Sequence, residues 1–365
     1  MRHLKIRLSE GRRTIPVQVG SGLISGLKHF IDQHFSGHRL FVITDRQVSA
    51  LHGKALSELT AGREVIAIPP GEQEKSIERW QWLIGQLLGA GAGRDSLLIA
   101  AGGGVIGDLT GFVAATLNRG VPFIQLPTTL LAQVDASIGG KVGINHPLGK
   151  NLIGAFYQPV AVFTDVHFLK TLPEVEFASG LGEVFKYAFT LDARLITFLE
   201  QQRAAVCRRD PAALENLVSR CIALKLSVVE QDEKEAGVRS LLNFGHTAAH
   251  ALERLAEYGL HHGLAVMAGM QVAIQLSHQK FNYPLSALDR LRHLMALYQI
   301  PPIRLGRFPA EQVWEALQTD KKARGGQPRF TLLGPDNEPR LFVPVTKEEF
   351  IHAFQQIQIV CESAS

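Results

Sequence analysis

In the stretch LLNFGHTAAHALE, residues 241–253, His246 and His250 stand four apart. Side chains at i and i+4 share one face of a helix. The spacing suits a metal clamp, a metal ligand beside a substrate-facing imidazole, or plain packing. HTAAH lacks the glutamate of H-E-x-x-H, which excludes zinc-protease chemistry. Two other segments complete a donor set. SGLGEVFKYA places Glu183 and Lys186 three apart in an apolar helix, and LHHGLAV places His261 and His262 at a helix start. One carboxylate and two imidazoles from three helices are a common catalytic zinc set, with a fourth position open for substrate.

A glycine-rich turn offers a second kind of chemistry. AAGGGVIGDLTGFVAAT follows a strand and opens a helix, and Gly102, Gly104 and Gly107 fit G-x-G-x-x-G. Such a turn lets backbone N–H groups approach a pyrophosphate at a helix N-terminus. The dinucleotide fingerprint also wants an acid at the end of the next strand, and that strand ends in QLPTT. The expectation is a phosphate-binding turn that is not the standard Rossmann first turn. Asp45 ends an early strand and suits a ribose hydroxyl, while PPGEQEKS puts Glu72 and Lys75 on a turn.

Further polar residues gather in apolar or glycine-rich surroundings. QVDASIGGKVGIN holds Asp135 and Lys141, and PLGKNLIG holds Lys150 and Asn151. Lys225, Glu235, Arg239 and Asn243 follow, then Lys321 and Lys322 in TDKKARGG. Much of this set is cationic, as a substrate carrying phosphate and carboxylate would require.

These residues need elements to position them. RLFVITD, REVIAIPP, DSLLIAAGGG and VPFIQLPTT read as buried strands, and SIERWQWLIGQLLGAG between them has helical spacing. Continuous apolar strands alternating with helices predict a parallel sheet covered on both faces. After VAVFTD the rhythm becomes long amphipathic helices, with RFTLLGP and PRLFVPV as a late hairpin. The expected organisation is an α/β nucleotide-binding domain over residues 1–165 and a mainly α-helical metal- and substrate-binding domain over 166–365, with the active site in the cleft between them.

Composition narrows the class. Apolar residues are 46% and charged residues 20%, enough to bury a sizeable core. A net charge of +4 is too small an excess to point to nucleic acid, and there is no basic arm. Cys207, Cys221 and Cys361 are scattered, which suits free thiols in a reducing compartment. MRHLKIRLSE lacks a signal-peptide apolar core, and no apolar run reaches the ~18 residues of a membrane span. A cytoplasmic protein is expected.

Taken together and in order, GGGVIGDLTGFVAAT, RGVPFIQLPTTLLAQVDASIGGKVGINHPLGKNLIGAFYQP, LPEVEFASGLGEVFKYA, DEKEAGVRSLLNFGHTAAHALE and HGLAV resemble the 3-dehydroquinate synthase family, sugar-phosphate cyclases of the shikimate pathway. The resemblance covers most of residues 40–325. It implies a homodimeric carbon–oxygen lyase that uses NAD and one divalent metal, zinc or cobalt. The implied reaction converts 3-deoxy-D-arabino-heptulosonate 7-phosphate to 3-dehydroquinate and phosphate. It proceeds by transient oxidation, elimination of phosphate, re-reduction, ring opening and intramolecular aldol closure.

The resemblance also implies residue roles. The metal ligands would be Glu183, His246 and His262. NAD contacts would come from Asp45, Glu72 and Lys75, from Gly103, Gly104, Val105 and Asp108, and from Thr128 and Thr129. Lys141, Lys150 and Glu176 join them, with Phe168 and Thr171 nearby. Substrate would meet Asp135, Lys141, Asn151, Lys186, Lys225, Glu235, Arg239 and Asn243, and one or both of Lys321 and Lys322. His250 would shuttle a proton around the metal-held hydroxyl, and Arg119 would reach the phosphate from a neighbouring subunit. The chain departs from the family at HGLAV, where the usual motif is H-G-E-A-V and Leu264 replaces the acid. The alternatives are another sugar-phosphate cyclase, a metal-dependent polyol dehydrogenase, or a non-catalytic NAD-binding paralogue.

Overall fold

The structure, a computed structural model, describes residues 1–7, 14–60, 65–235, 237–257, 259–318 and 327–363, with side chains as far as 358. The chain divides into two compact units, Met1–Pro173 with Arg209–Glu233, and Glu174–Arg208 with Lys234–Ser365.

In chain order the first unit begins with β1 (Arg2–Arg7), β2 (Thr14–Gly20), α1 (Ile24–His34), β3 (Arg39–Asp45), α2 (Arg46–Leu59), β4 (Val65–Ile68) and α3 (Ile77–Gly89). It continues with β5 (Ser96–Gly102), α4 (Gly104–Thr116), β6 (Phe123–Pro127), β7 (Lys141–His146), β8 (Gly149–Phe156) and β9 (Ala161–Asp165). Next, α5 (Glu174–Thr190) and α6 (Arg194–Cys207) belong to the second unit, and α7 (Pro211–Val229) returns to the first. The second unit ends with α8 (His246–Leu255), α9 (His262–Phe281), α10 (Ser286–Leu297), α11 (Ala310–Gln318), β10 (Arg329–Leu333), β11 (Pro339–Pro344) and α12 (Lys347–Ser363). A single boundary at residue 165 therefore differs from the structure, because α7 packs with the first unit. Its helical pattern alone could not show which core it covers.

Among the described residues the first unit holds a sheet of order β1-β2-β9-β6-β5-β3-β4. Only the β1–β2 pair in it is antiparallel. Every residue of β5 is buried. Leu98 and Ala100 face one core with Phe41 and Ile43, while Leu97, Ile99 and Ala101 face another with Val42 and Ile124. Alternate side chains point to opposite faces, so a strand covered on both sides must be apolar throughout.

Strand order reverses between β3 and β5. The chain runs outward from β3 to β4, then returns to pair β5 on the other side of β3. In open α/β sheets, ligands bind beyond the strand C-termini at such a reversal. Asp45 ends β3 and Gly102 ends β5, one on each side of it.

In the second unit, α5, α8 and α9 approach backbone to backbone. A Cβ on Gly182 would collide with the Gly263 backbone, and one on Gly263 with the Ser179 carbonyl. The helix that carries His246 and His250 does not span the whole run 241–253. A 3-10 turn spans Val238–Asn243, and α8 starts at His246. Between them Gly245 takes φ 81°, a region open to glycine. A Cβ there would lie 2.8 Å from the Met270 nitrogen of α9. β10 and β11 form the expected antiparallel pair. Among the described residues no helix is long and apolar enough to cross a membrane. Cys207 is half-buried and Cys221 is buried; the Cys361 side chain lies outside the described set.

Candidate active site

The glycine contacts of the second unit lie beside the proposed ligands. Glu183 follows Gly182, His246 follows Gly245, and His262 precedes Gly263. Close helix approach therefore brings Glu183, His246 and His262 together, with their ligand atoms within 4.8 Å of one another. His246 Nε2 and His262 Nε2 each lie 3.4 Å from Glu183 Oε1. The other carboxylate oxygen of Glu183 accepts from Lys186 Nζ, and both residues are buried.

The far nitrogens of both imidazoles have acceptors. His246 Nδ1 faces the Phe244 carbonyl at 3.4 Å, and His262 Nδ1 faces Glu253 Oε1 at 3.4 Å. A proton held at Nδ1 leaves the Nε2 lone pair for a metal. One carboxylate oxygen and two such nitrogens fit zinc or cobalt. Burial by itself would lower the His262 pKa. Hydrogen bonds to Glu183 and Glu253, and their charges, outweigh it and push the value up to about 10. Without a metal, an imidazolium takes the cation's place between these carboxylates.

The ring of His250 lies 5.6 Å from that of His246 and 6.3 Å from that of His262, centroid to centroid. It stands beside the cluster, outside the ligand group. His261 turns elsewhere, with Nδ1 3.4 Å from Glu176 Oε1. Asn243 donates to Glu235 Oε1 at 2.5 Å, and Arg239 is buried in the same 3-10 turn as Asn243. Glu235 has φ 58°, a left-handed backbone that is uncommon outside glycine. Lys321 and Lys322 lie outside the described residues.

The first unit builds the nucleotide candidates. Gly103 caps α4, whose N-terminal N–H groups carry no side-chain cap. Gly103, Gly104, Val105 and Asp108 are half-buried there. Asp45 is the N-cap of α2 and accepts from the Val48 N–H at 2.8 Å, which fixes its carboxylate at the end of β3. Lys75 Nζ donates to Asp108 Oδ2 at 2.7 Å and to Asn151 Oδ1 at 2.5 Å. Burial would lower the Lys75 pKa, but the charges of Asp108 and Glu72 raise it, so the ammonium is kept. Thr128 is buried, and Thr129 Oγ1 accepts from the Ala132 N–H at 3.2 Å.

Asp135 sits in a single π-helical turn, Ala132–Ala136, a form often found at functional sites. Lys225 of α7 donates to its carbonyl at 2.7 Å and to its carboxylate at 2.8 Å. Lys141 is exposed at the start of β7, and Lys150 is half-buried on β8. Arg119 is exposed, with φ 68°. His52 hydrogen-bonds Thr171 Oγ1 at 2.8 Å and lies edge-on to Phe168. A lone histidine in an amphipathic helix carries no local signal.

A parallel-sheet unit with a glycine-capped helix, and a helical unit with a cluster of one carboxylate and two imidazoles, place the chain in a recognisable fold class. The solved 2-epi-5-epi-valiolone synthase of Streptomyces hygroscopicus subsp. jinggangensis, with NAD+ and Zn2+ bound, matches at a TM-score of 0.85 and 27% identity, over 97% of this chain and 98% of its own. A 2-deoxy-scyllo-inosose synthase complexed with carbaglucose-6-phosphate, NAD+ and Co2+ shares the fold at a TM-score of 0.87 and 23% identity, over 97% and 99% of the two chains. Family models match more specifically, with 3-dehydroquinate synthase N-terminal over residues 65–179 and C-terminal over 180–323. The 3-dehydroquinate synthase of Pseudoalteromonas translucida is 42% identical over 91% of this chain and 93% of its own length. That of Geobacter metallireducens is 43% identical over 88% and 91%. The chain belongs to the 3-dehydroquinate synthase family.

Proposed function

We propose that this protein converts 3-deoxy-D-arabino-heptulosonate 7-phosphate to 3-dehydroquinate and phosphate, as a cytoplasmic homodimeric lyase holding NAD and one divalent metal. The observation that carries the reading is the convergence of Glu183, His246 and His262, with Lys186 and His250 beside them. Those three residues would hold zinc or cobalt. Asp45, Glu72, Lys75 and the turn Gly103–Gly104 would hold NAD in the first unit. When bound, NAD supplies reversible oxidation of a secondary alcohol, and the metal supplies acidification of the alcohol it touches.

The chain's own residues do the rest. His250, next to the ligand imidazoles, takes and returns the proton of the substrate hydroxyl. Lys186 holds the orientation of Glu183 and adds positive charge where an alkoxide develops. Arg239 and Asn243 receive the substrate carboxylate, since a guanidinium and an amide match its two oxygens. Lys141 and Lys225 would meet the phosphate and hydroxyl groups, and Lys150 would join the NAD contacts. Arg119 of a neighbouring subunit adds to the phosphate contacts.

The test offers the zinc-loaded protein three substrates with NAD: the seven-carbon keto-acid phosphate, a seven-carbon sugar phosphate without the carboxylate, and a six-carbon sugar phosphate. Phosphate release from the first, with a product of the mass of 3-dehydroquinate, supports the reading. Release from either of the others, and none from the first, replaces it with another cyclase.

A further inference from the structure

Asn145 of β7 has no place in the roles above, yet both ends of its amide are engaged. Nδ2 donates to Glu72 Oε1 at 2.8 Å and lies 3.5 Å from the Glu72 carbonyl. Oδ1 accepts the Asn151 N–H at 2.9 Å. The Asn145 backbone N–H donates to the Lys75 carbonyl at 2.8 Å. These partners fix which way round the amide sits. A carboxylate can face only its NH2, and an N–H only its oxygen.

The bonds close a circuit. Asn145 holds Glu72 and Asn151, Asn151 Oδ1 accepts from Lys75 Nζ at 2.5 Å, and the Lys75 N–H donates to the Glu72 carbonyl at 3.1 Å. Asn151 sits at φ 54°, where a non-glycine backbone needs its surroundings to hold it. Its N–H is held by Asn145 and its side chain by Lys75. Moving Glu72 or Lys75 therefore moves the support of Asn151.

We propose that Asn145 is a positioning residue that couples the turn bearing Glu72 and Lys75 to Asn151, so that cofactor and substrate affinity fall together when it is lost. The inference rests on the functional reading, in which Glu72 and Lys75 contact NAD and Asn151 contacts substrate.

The test compares Asn145→Asp, Asn145→Ala and the pair Asn145→Asp with Glu72→Gln. Asn145→Asp keeps the shape and the acceptor for Asn151, but sets a carboxylate against Glu72. Adding Glu72→Gln rebuilds one donor facing one acceptor with the direction reversed. NAD affinity of the zinc-loaded protein is read by fluorescence quenching, substrate KM and kcat by phosphate release, and folding by thermal melting.

Asn145→Asp is expected to weaken NAD binding about tenfold or more, the loss typical of a hydrogen bond to a charged group. Substrate KM is expected to rise with it, while kcat changes less. The paired variant should regain part of the NAD affinity, which a merely structural role would not produce. NAD and substrate constants at wild-type values in both single variants overturn the inference. So does a pair whose losses simply multiply. Wild-type protein that fails to bind NAD overturns the functional reading together with the inference. Wild-type binding with unaffected Asn145 variants overturns the inference alone.

Discussion

Replacing Glu253 with glutamine should weaken the metal and change how its affinity depends on pH. Glu253 is 1% exposed, and its Oε1 lies 3.4 Å from Nδ1 of the proposed ligand His262. The related motif H-G-E-A-V carries an acid where this chain has Leu264, which is buried. In this chain the acid partner of His262 stands on α8. Losing such a partner typically costs ~10–100-fold in metal affinity. In the metal-free protein, Glu183 and Glu253 overcome burial and push the His262 pKa up to about 10. Below that value the metal must expel one proton, so affinity should rise about tenfold per pH unit. Glu253→Gln removes one of the two carboxylates that hold the proton. The pKa falls, and the slope flattens at a lower pH than in the wild type. Zinc competition with a chromophoric chelator, from about pH 6.5 to about pH 8.5, covers the range above the free histidine value. A variant with wild-type affinity and wild-type slope would refute the reasoning.

Three further outcomes follow from the geometry. Metal-free protein should melt at lower temperature as pH rises from neutral towards about 10. A histidine whose folded pKa is raised above 6.5 contributes stability that is complete below that unfolded value and is lost on passing through the folded one; scanning calorimetry of the chelated protein across that range reads it. Gly263→Ala should cost ~1–3 kcal/mol, because its Cβ meets the Ser179 carbonyl and must push α9 away from α5. Zinc affinity should fall with the melting temperature, and a variant that melts lower yet binds zinc as tightly would contradict the link. Lys225→Met removes two hydrogen bonds to Asp135 and should cost ~1–3 kcal/mol by urea unfolding. It should also lower kcat/KM, with zinc affinity unchanged.

Strands such as β3 and β5 were legible because burial on both faces leaves an unbroken apolar run with turn residues at its ends. The cluster of Glu183, His246 and His262 was legible in its chemical types and, through the family resemblance, in its members. What stayed hidden depends on contacts between segments distant in sequence. Helical periodicity runs unbroken through Gly245, yet the backbone of α9 forces that glycine to φ 81° and starts α8 at His246. The pattern of α7 marks it as a helix, but whether it joins the sheet or the bundle depends on partners such as Asp135. Asn145 and Glu253 act through residues 72 and 262, and no local spacing announces either.

The most direct test of the account is the number of phosphates released per NAD. Zinc-loaded protein would be given 3-deoxy-D-arabino-heptulosonate 7-phosphate in large excess over NAD, with phosphate and absorbance of the reduced cofactor followed together. The account predicts many phosphates per NAD, 3-dehydroquinate as product, and no accumulating reduced cofactor. Reduced cofactor that builds up with the product, or phosphate release that stops at one per NAD, would contradict it and leave a dehydrogenase in its place.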